Sequence, residues 1–242
     1  MRLSVTYEVA RIAVSYRFIV LSILKEALKK SNRGYYESLY IENEGKMKPF
    51  ATAVYLRDFT YVEDEIHLKS LTINITSADM SFMLHLFNGL QRLTTYTTYH
   101  ETWTRLNIQM LPETEIQSEQ VYFSTLSPIL IENKEGQPLH PDQPEYVTEF
   151  GYYAALRIQE LTGRKPYRPI VIEPLQMKRV VIKESNSTFR NQHTGKKNLY
   201  FTAYRGHLKL TGHPDDLQFL YQSGVGKRAS QSFGMLEYVR EE

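Results

Sequence analysis

The strongest constraint on how this 242-residue chain can fold is the order in which its hydrophobic period changes along the sequence. Alternation with a period of two marks half-buried strands, and recurrence every three to four residues marks amphipathic helices. Leu3, Val5 and Tyr7 alternate with polar neighbours over 2–8, which predicts a strand. Over 16–30 the spacing of Phe18, Leu21, Leu24 and Leu28 is helical. Ser15 is the expected N-cap, Lys29 and Lys30 suit the negative end of the helix dipole, and Gly34 is expected to stop the helix. Two strands follow at 50–56 and 65–75, the second with a slip near Ser70 that suggests a bulge. Ser77 is the expected cap of a helix over 78–93 with an apolar stripe of Met80, Met83, Leu84, Phe87 and Leu90. Strand material at 94–99 and 103–110 closes a β-α-β-β-α-β unit of the ferredoxin-like kind.

After a polar, Glu-rich connection at 112–120 the pattern restarts. Residues 121–123 and 128–131 read as extended, Pro144 opens a helix that runs to Leu161, and Gly163 ends it. A strand pair at 170–182 and 199–210 encloses a long basic connection; a short helix at 214–221 and a strand at 233–239 complete a second β-α-β-β-α-β series. The expected fold class is α+β, with tandem duplicated ferredoxin-like (βαββαβ, RRM-like) domains at 1–118 and 119–242 and a C-terminal glycine-rich loop. No sequence repeat links the halves, so the duplication is one of architecture.

That loop, over 223–235, carries Gly224, Gly226 and Gly234 together with the Lys227–Arg228 pair, Ser230 and Ser232. Glycine reaches φ > 0 without a Cβ clash and lets a bulky group lie against the main chain, so N–H groups and the two cations can face an anion. A P-loop and a Rossmann fingerprint both need a strand before the glycines and a helix after them; here a helix precedes and a strand follows. The residues alone leave two readings, an anion-binding loop and a flexible surface turn.

A net charge of only +2 argues against indiscriminate coating of nucleic acid, so any basic patch must be local. From Lys178 to Arg228, Lys178, Arg179, Lys183, Arg190, Lys196, Lys197, Arg205, Lys209, Lys227 and Arg228 outnumber Glu184, Asp215 and Asp216. The 18 tyrosines can stack on bases or fill the core. There is no cysteine, which excludes disulfides and thiolate metal sites and is compatible with the cytoplasm. The apolar run 18–21 is short and bounded by Arg17 and Lys25, neither a signal peptide nor a membrane span. His67, His85, His100, His140, His193, His207 and His213 show no metal-ligand spacing with a carboxylate, and no metal or cofactor is expected.

The run Gly224-x-Gly226 followed by Ser232-Phe233-Gly234-Met235 resembles the glycine-rich loop of the RAMP superfamily. More narrowly, it is similar to that of the CRISPR-associated protein six family, endoribonucleases that cut precursor CRISPR RNA within its repeats. The segments Phe123-Ser124-Thr125-Leu126-Ser127-Pro128-Ile129 and Lys48-Pro49-Phe50 extend the resemblance over nearly the whole chain. It implies the tandem ferredoxin-like fold and a metal-independent cut in which one group takes the 2′-hydroxyl proton, another protonates the departing 5′-oxygen, and cations stabilise the phosphorus. The product is then a 2′,3′-cyclic phosphate. The resemblance also implies a histidine just after the first helix, a nearby tyrosine, and a lysine before the second strand. This chain departs from the pattern, because 34–48 holds no histidine.

The candidate catalytic residues are therefore Tyr40, Lys48, Tyr36 and Lys46. Lys48 would supply charge at the phosphate and Tyr40 or Tyr36 would relay a proton, although a tyrosine near its usual pKa is a poor base at neutral pH. The competing reading buries Tyr40 in the core and leaves Lys46 and Lys48 solvated. The candidate RNA-binding residues are Lys178, Arg179, Arg190, His193, Lys196, Lys197, Gly224, Gly226, Lys227, Arg228, Ser230, Ser232 and Gly234, on consecutive elements that could form one basic face. Against that, charge on strand edges also prevents edge pairing. The expected function is an endoribonuclease acting on CRISPR repeat RNA. The alternatives are a non-cleaving, repeat-binding subunit of a CRISPR effector complex and an unrelated ferredoxin-like homodimer whose loop is only a turn.

Overall fold

A computed structural model describes residues 1–98, 101–184 and 198–241. His100, Arg190, His193, Lys196 and Lys197 lie outside the described residues. In chain order the first half contains β1 (Arg2–Glu8), β2 (Arg11–Ala13), α1 (Arg17–Ser31) and α2 (Arg33–Glu37), which runs into a π-helical turn, Ser38–Glu42. It continues with β3 (Phe50–Arg57), β4 (Thr60–Val62), β5 (Glu65–His67), β6 (Ser70–Ser77), α3 (Met80–Arg92), β7 (Thr95–Thr97) and β8 (Thr102–Leu111). The second half contains β9 (Gln120–Thr125), α4 (Pro144–Thr162), β10 (Val171–Glu184), β11 (Leu199–Thr211), α5 (Pro214–Ser223), a 3-10 turn at Ala229–Gln231, and β12 (Leu236–Glu241).

Each half builds one main antiparallel sheet, in the orders β3-β6-β1-β8-β7 and β10-β11-β9-β12, and the first half adds a small sheet in the order β2-β5-β4. With the short edge strand β7 set aside, the first and third strands of each series are central and the second and fourth flank them. This is the ferredoxin-like arrangement twice over, as the alternation of periods predicts. The register explains the first core. Leu3, Val5 and Tyr7 stand opposite Ile75, Ile73 and Leu71, and all six are buried beneath α1 and α3. Phe50 and Phe82 stack at 4.5 Å. The two helices approach so closely that a Cβ on Gly89 would meet the carbonyl oxygen of Ala27 at 1.8 Å, so only glycine fits there. In the second half Val121, Phe123, Leu208 and Leu210 pack against Tyr146, Phe150 and Ile158 of α4 and Leu217 and Leu220 of α5. Each such aliphatic side chain contributes about 1.5–3 kcal/mol on full burial.

The elements differ from expectation in several places. The strand expected over 65–75 is two strands: the chain breaks at Leu68 and Lys69, and β5 leaves the main sheet to pair with β2 and β4. The slip near Ser70 is that break, not a bulge. Tyr16, not Ser15, precedes α1, with no side-chain cap. Gly34 does not stop the helix. Asn32 does, in an extended conformation, and its side chain accepts from the Tyr35 amide at 3.0 Å to start α2. Asp79 caps α3 through the Phe82 amide at 3.0 Å, while Ser77 Oγ accepts from the Asp79 amide. The stripe of α3 is set by Phe82, Met83, Leu86 and Leu90, whereas Met80 and Leu84 are exposed. The last strand begins at Leu236, which leaves 233–235 in the loop, and within 128–131 Ile129 makes a single bridge to Tyr204.

The halves are joined by buried polar groups. Arg2, 2 % exposed, donates to the Tyr221 hydroxyl at 2.8 Å, to Glu237 at 2.9 Å and to the Leu236 carbonyl.

Candidate nucleic-acid interface

The glycine loop is pressed onto the first half. Gly224 has φ +85°, and a Cβ there would lie 2.5 Å from that of Ala51 on β3. Its amides are largely turned inward: Val225 donates to Gly234 at 2.9 Å, Lys227 to Leu130 at 3.0 Å, Gly234 to Pro128 at 2.8 Å, Ser232 to Thr52 Oγ1 at 3.0 Å and Met235 to Ser127 Oγ at 2.9 Å. Gly224, Ser232 and Gly234 are buried, and the Ser232 hydroxyl bonds that of Thr52 at 3.0 Å. The expectation that these N–H groups face an anion is corrected here: they stitch the loop to the body of the protein. Arg228 and Ser232 hold the left-handed conformation at φ 59° and 62° although neither is glycine, a local strain on the order of 1 kcal/mol or more each.

What the loop does present is one wall of a cleft of about 400 Å³. Residues 226–231 form that wall, 44–48 form the other, and Tyr153 and Arg157 of α4 lie between them. Lys46, Lys48, Gly226, Lys227, Arg228 and Ser230 are thus brought together from segments about 180 positions apart in the sequence. Lys178 and Arg179 are not among its lining; they stand on β10 opposite Arg205 and Tyr204.

The cations around the cleft differ in freedom. Lys48 Nζ donates to the carbonyls of Asn43 at 2.6 Å, Glu44 at 3.1 Å and Lys46 at 2.9 Å, so its three protons clasp the end of the π-helical turn. Burial, then the nearby Lys25, lowers its pKa. Lys227 is paired with Glu132 and lies 5.7 Å from the Tyr153 ring. Arg228 donates to Gln231 at 3.1 Å and rests over Phe201 at 4.6 Å, yet stays exposed. Lys46 is exposed and forms no ion pair among the described residues. Beneath them Arg157, 3 % exposed, donates to the carbonyls of Lys48 at 3.2 Å, Phe50 at 3.4 Å and Ser223 at 2.5 Å. Burial lowers its pKa to about 10, which leaves it charged at neutral pH.

The proton-relay role expected of Tyr40 meets a physical obstacle. Its hydroxyl is buried without a hydrogen-bond partner, and burial raises its pKa, so it gives up its proton less readily than free tyrosine. Its ring serves differently: Lys25 and Lys48 lie 4.5 and 5.4 Å from its centroid, and Lys29 lies 4.7 Å from that of Tyr36. Tyr36 and Tyr40 thus hold three ammonium groups by cation–π contact. Sequence reasoning missed Lys25, Lys29 and Arg157. The i, i+4 spacing of Lys25 with Lys29, matched by that of Tyr36 with Tyr40, was the available signal for the first two.

The fold sets two ferredoxin-like units in tandem, with a glycine-rich loop ahead of the closing strand, the arrangement that the resemblance to the RAMP type implies. The fold is similar to that of a Cas6-related protein from Pyrococcus furiosus, with a TM-score of 0.80 at 17% identity over 100% of both chains. It is also similar to an RAMP protein described as binding different RNA substrates, with a TM-score of 0.79 at 17% identity over 99% of this chain and 100% of that one. A third match is a CRISPR associated protein Cas6, with a TM-score of 0.71 at 18% identity and the same coverage. At these identities the likeness is one of fold. In sequence, the C-terminal region of the CRISPR associated protein Cas6 family matches residues 111–238, and the chain belongs to that family. Members of the family are generally endoribonucleases of CRISPR RNA processing. No curated protein matches the chain in sequence, and no helix among the described residues is long and apolar enough to cross a membrane.

Proposed function

We propose that the chain binds precursor CRISPR RNA and cuts it within the repeat, without a metal ion, leaving a 2′,3′-cyclic phosphate. The observation that supports this is the convergence of Lys46 and Lys48 with residues 226–231 around one cleft over the buried Arg157. Lys46 and Arg228 carry the free charge that holds the scissile phosphate and stabilises the crowded phosphorus as the 2′-oxygen bonds to it and the 5′-oxygen departs. Lys48 shapes the wall and adds field rather than protons, and Tyr36 and Tyr40 fix the lysines of α1 beside it. With no histidine in 34–48 and the Tyr40 proton tightly held, rate enhancement comes from positioning and electrostatics. The two ferredoxin-like units at 1–118 and 119–242 each supply one wall, and the setting is cytoplasmic.

A second reading, a repeat-binding subunit of a CRISPR effector complex that does not cut, is favoured by the occupied Lys48 ammonium and the buried Tyr40 hydroxyl. End-labelled repeat RNA incubated with the protein in EDTA separates the two. A cut that disappears when the nucleotide before the break is 2′-deoxy, while binding persists, supports cleavage by that hydroxyl. Binding with no cut selects the second reading, and no binding overturns both.

A further inference from the structure

A second cavity, of about 750 Å³, adjoins the cleft and shares Tyr153 and Lys227 with it. Its other wall is the outer face of α4, where Glu149, Tyr152, Tyr153 and Leu156 follow one another at helical spacing. The two hollows differ in charge. Around the first, Lys46, Lys48, Arg157 and Arg228 face one acid, Glu44, and Lys227 is paired with Glu132. Around the second, Lys134 and Lys227 are offset by Glu149 and by the Glu132 already paired with Lys227. A phosphate gains much in the first and little in the second, whereas an uncharged aromatic ring with a polar edge suits the second.

The aromatic pair is built for such a ring. Tyr153 is held by its hydroxyl, which donates to the Glu132 carbonyl at 3.0 Å. Tyr152 stands against it edge-on, with ring centroids 5.5 Å apart at 66°, and is 57 % exposed. Glu149, one turn earlier, makes no hydrogen bond or ion pair among the described residues, so its carboxylate is open to an amino donor.

We propose that this face of α4 is a nucleobase subsite, in which one unpaired base of the RNA crossing the adjacent cleft stacks on Tyr152 and donates its exocyclic amino group to Glu149. The inference rests on the phosphate-cleft reading above. Adenine, cytosine and guanine carry such an amino group; uracil does not and is the base least well held.

The test uses the full chain and the host's CRISPR repeat RNA, end-labelled, intact or with one nucleotide at a time made abasic. Tyr152→Ala is expected to weaken binding of the intact RNA by about 5- to 100-fold and Tyr152→Phe to leave it unchanged. One abasic position should cost the wild type the same factor and cost Tyr152→Ala nothing more. Uridine at that position should weaken the wild type but not Glu149→Gln. Tyr152 is exposed, so melting curves of these variants should overlay that of the wild type. If Tyr152→Ala holds every RNA as tightly as the wild type while the double variant Lys46→Ala, Arg228→Ala loses affinity, the subsite is refuted and the phosphate cleft stands. If the double variant also binds normally, the cleft reading fails and the subsite with it.

Discussion

At the scale of single residues, two buried ionisable groups make the strongest statements. Glu184, at the end of β10, lies 3.4 Å from Arg17 at the start of α1 with its side chain 3 % exposed. Burial raises its pKa to about 7, against the opposing pull of Arg17 and then Arg228. An unfolded glutamate titrates near 4.3. Between roughly pH 4.5 and 7 the folded chain therefore keeps a proton that the unfolded chain has released, and stability falls as pH rises through that window, by up to about 1.4 kcal/mol per unit. Glu184→Gln removes this slope, so in urea denaturation the variant should gain on the wild type by about 2 kcal/mol between pH 5 and pH 8. A stability difference that does not change with pH contradicts the assignment. Arg157 makes the complementary case. Arg157→Met leaves the carbonyls of Lys48, Phe50 and Ser223 without their donor, which should cost roughly 2–4 kcal/mol in the same assay. It should also loosen the 44–48 wall, so RNA affinity falls even in the variant fraction that remains folded.

At the scale of elements, the 44–48 segment and the glycine loop are the two segments that make the cleft, and the two lysines of the first should part company on substitution. Lys48→Ala removes the clasp on three carbonyls and should lower stability by about 1–3 kcal/mol. Lys46→Ala should leave the melting temperature in place and reduce RNA affinity, flattening its logarithmic salt dependence by about 0.7 for the one phosphate no longer neutralised. Equal melting losses in both variants would contradict the division of roles. The helices and strands themselves are legible in the sequence because a change of period leaves a local record: β1, α4 with Pro144 and Gly163 at its ends, and the β10–β11 pair fall within a few residues of expectation. The split of β5 from β6 is not legible, since it depends on β5 finding β2 and β4 rather than on its own residues. Nor is the role of Arg157, which reads as a surface charge on a helix until acceptors 109, 107 and 66 positions away close over it. The glycines show the opposite failure. Their need for φ > 0 is readable, but whether the freed space admits a ligand or the protein's own Ala51 is decided by tertiary packing.

At the scale of the whole molecule, the cleft exists only because the two halves are locked in one relative position. The seam combines an apolar patch of Ala51, Ala53, Ala229 and Met235 with polar ties that cannot be abandoned cheaply. Arg2 is bound to Tyr221 and Glu237, Arg17 to Glu184, and Lys183 to Asp64 at 2.6 Å. Parting the halves would break the bonds from Arg2 to Tyr221, Glu237 and the Leu236 carbonyl and turn the apolar patch out to water. Neither half can therefore open far from the other while both stay folded. The expected consequence is one calorimetric transition, with a calorimetric enthalpy equal to the van't Hoff enthalpy, despite two ferredoxin-like units in the chain. Arg2→Leu should weaken that coupling, lowering the melting temperature and broadening the transition or dividing it in two. RNA affinity should fall in parallel, although Arg2 does not line the cleft. Two transitions in the wild type would mean that the halves melt independently, and a cleft with one wall in each half would then lack the rigidity that positioning a scissile phosphate demands.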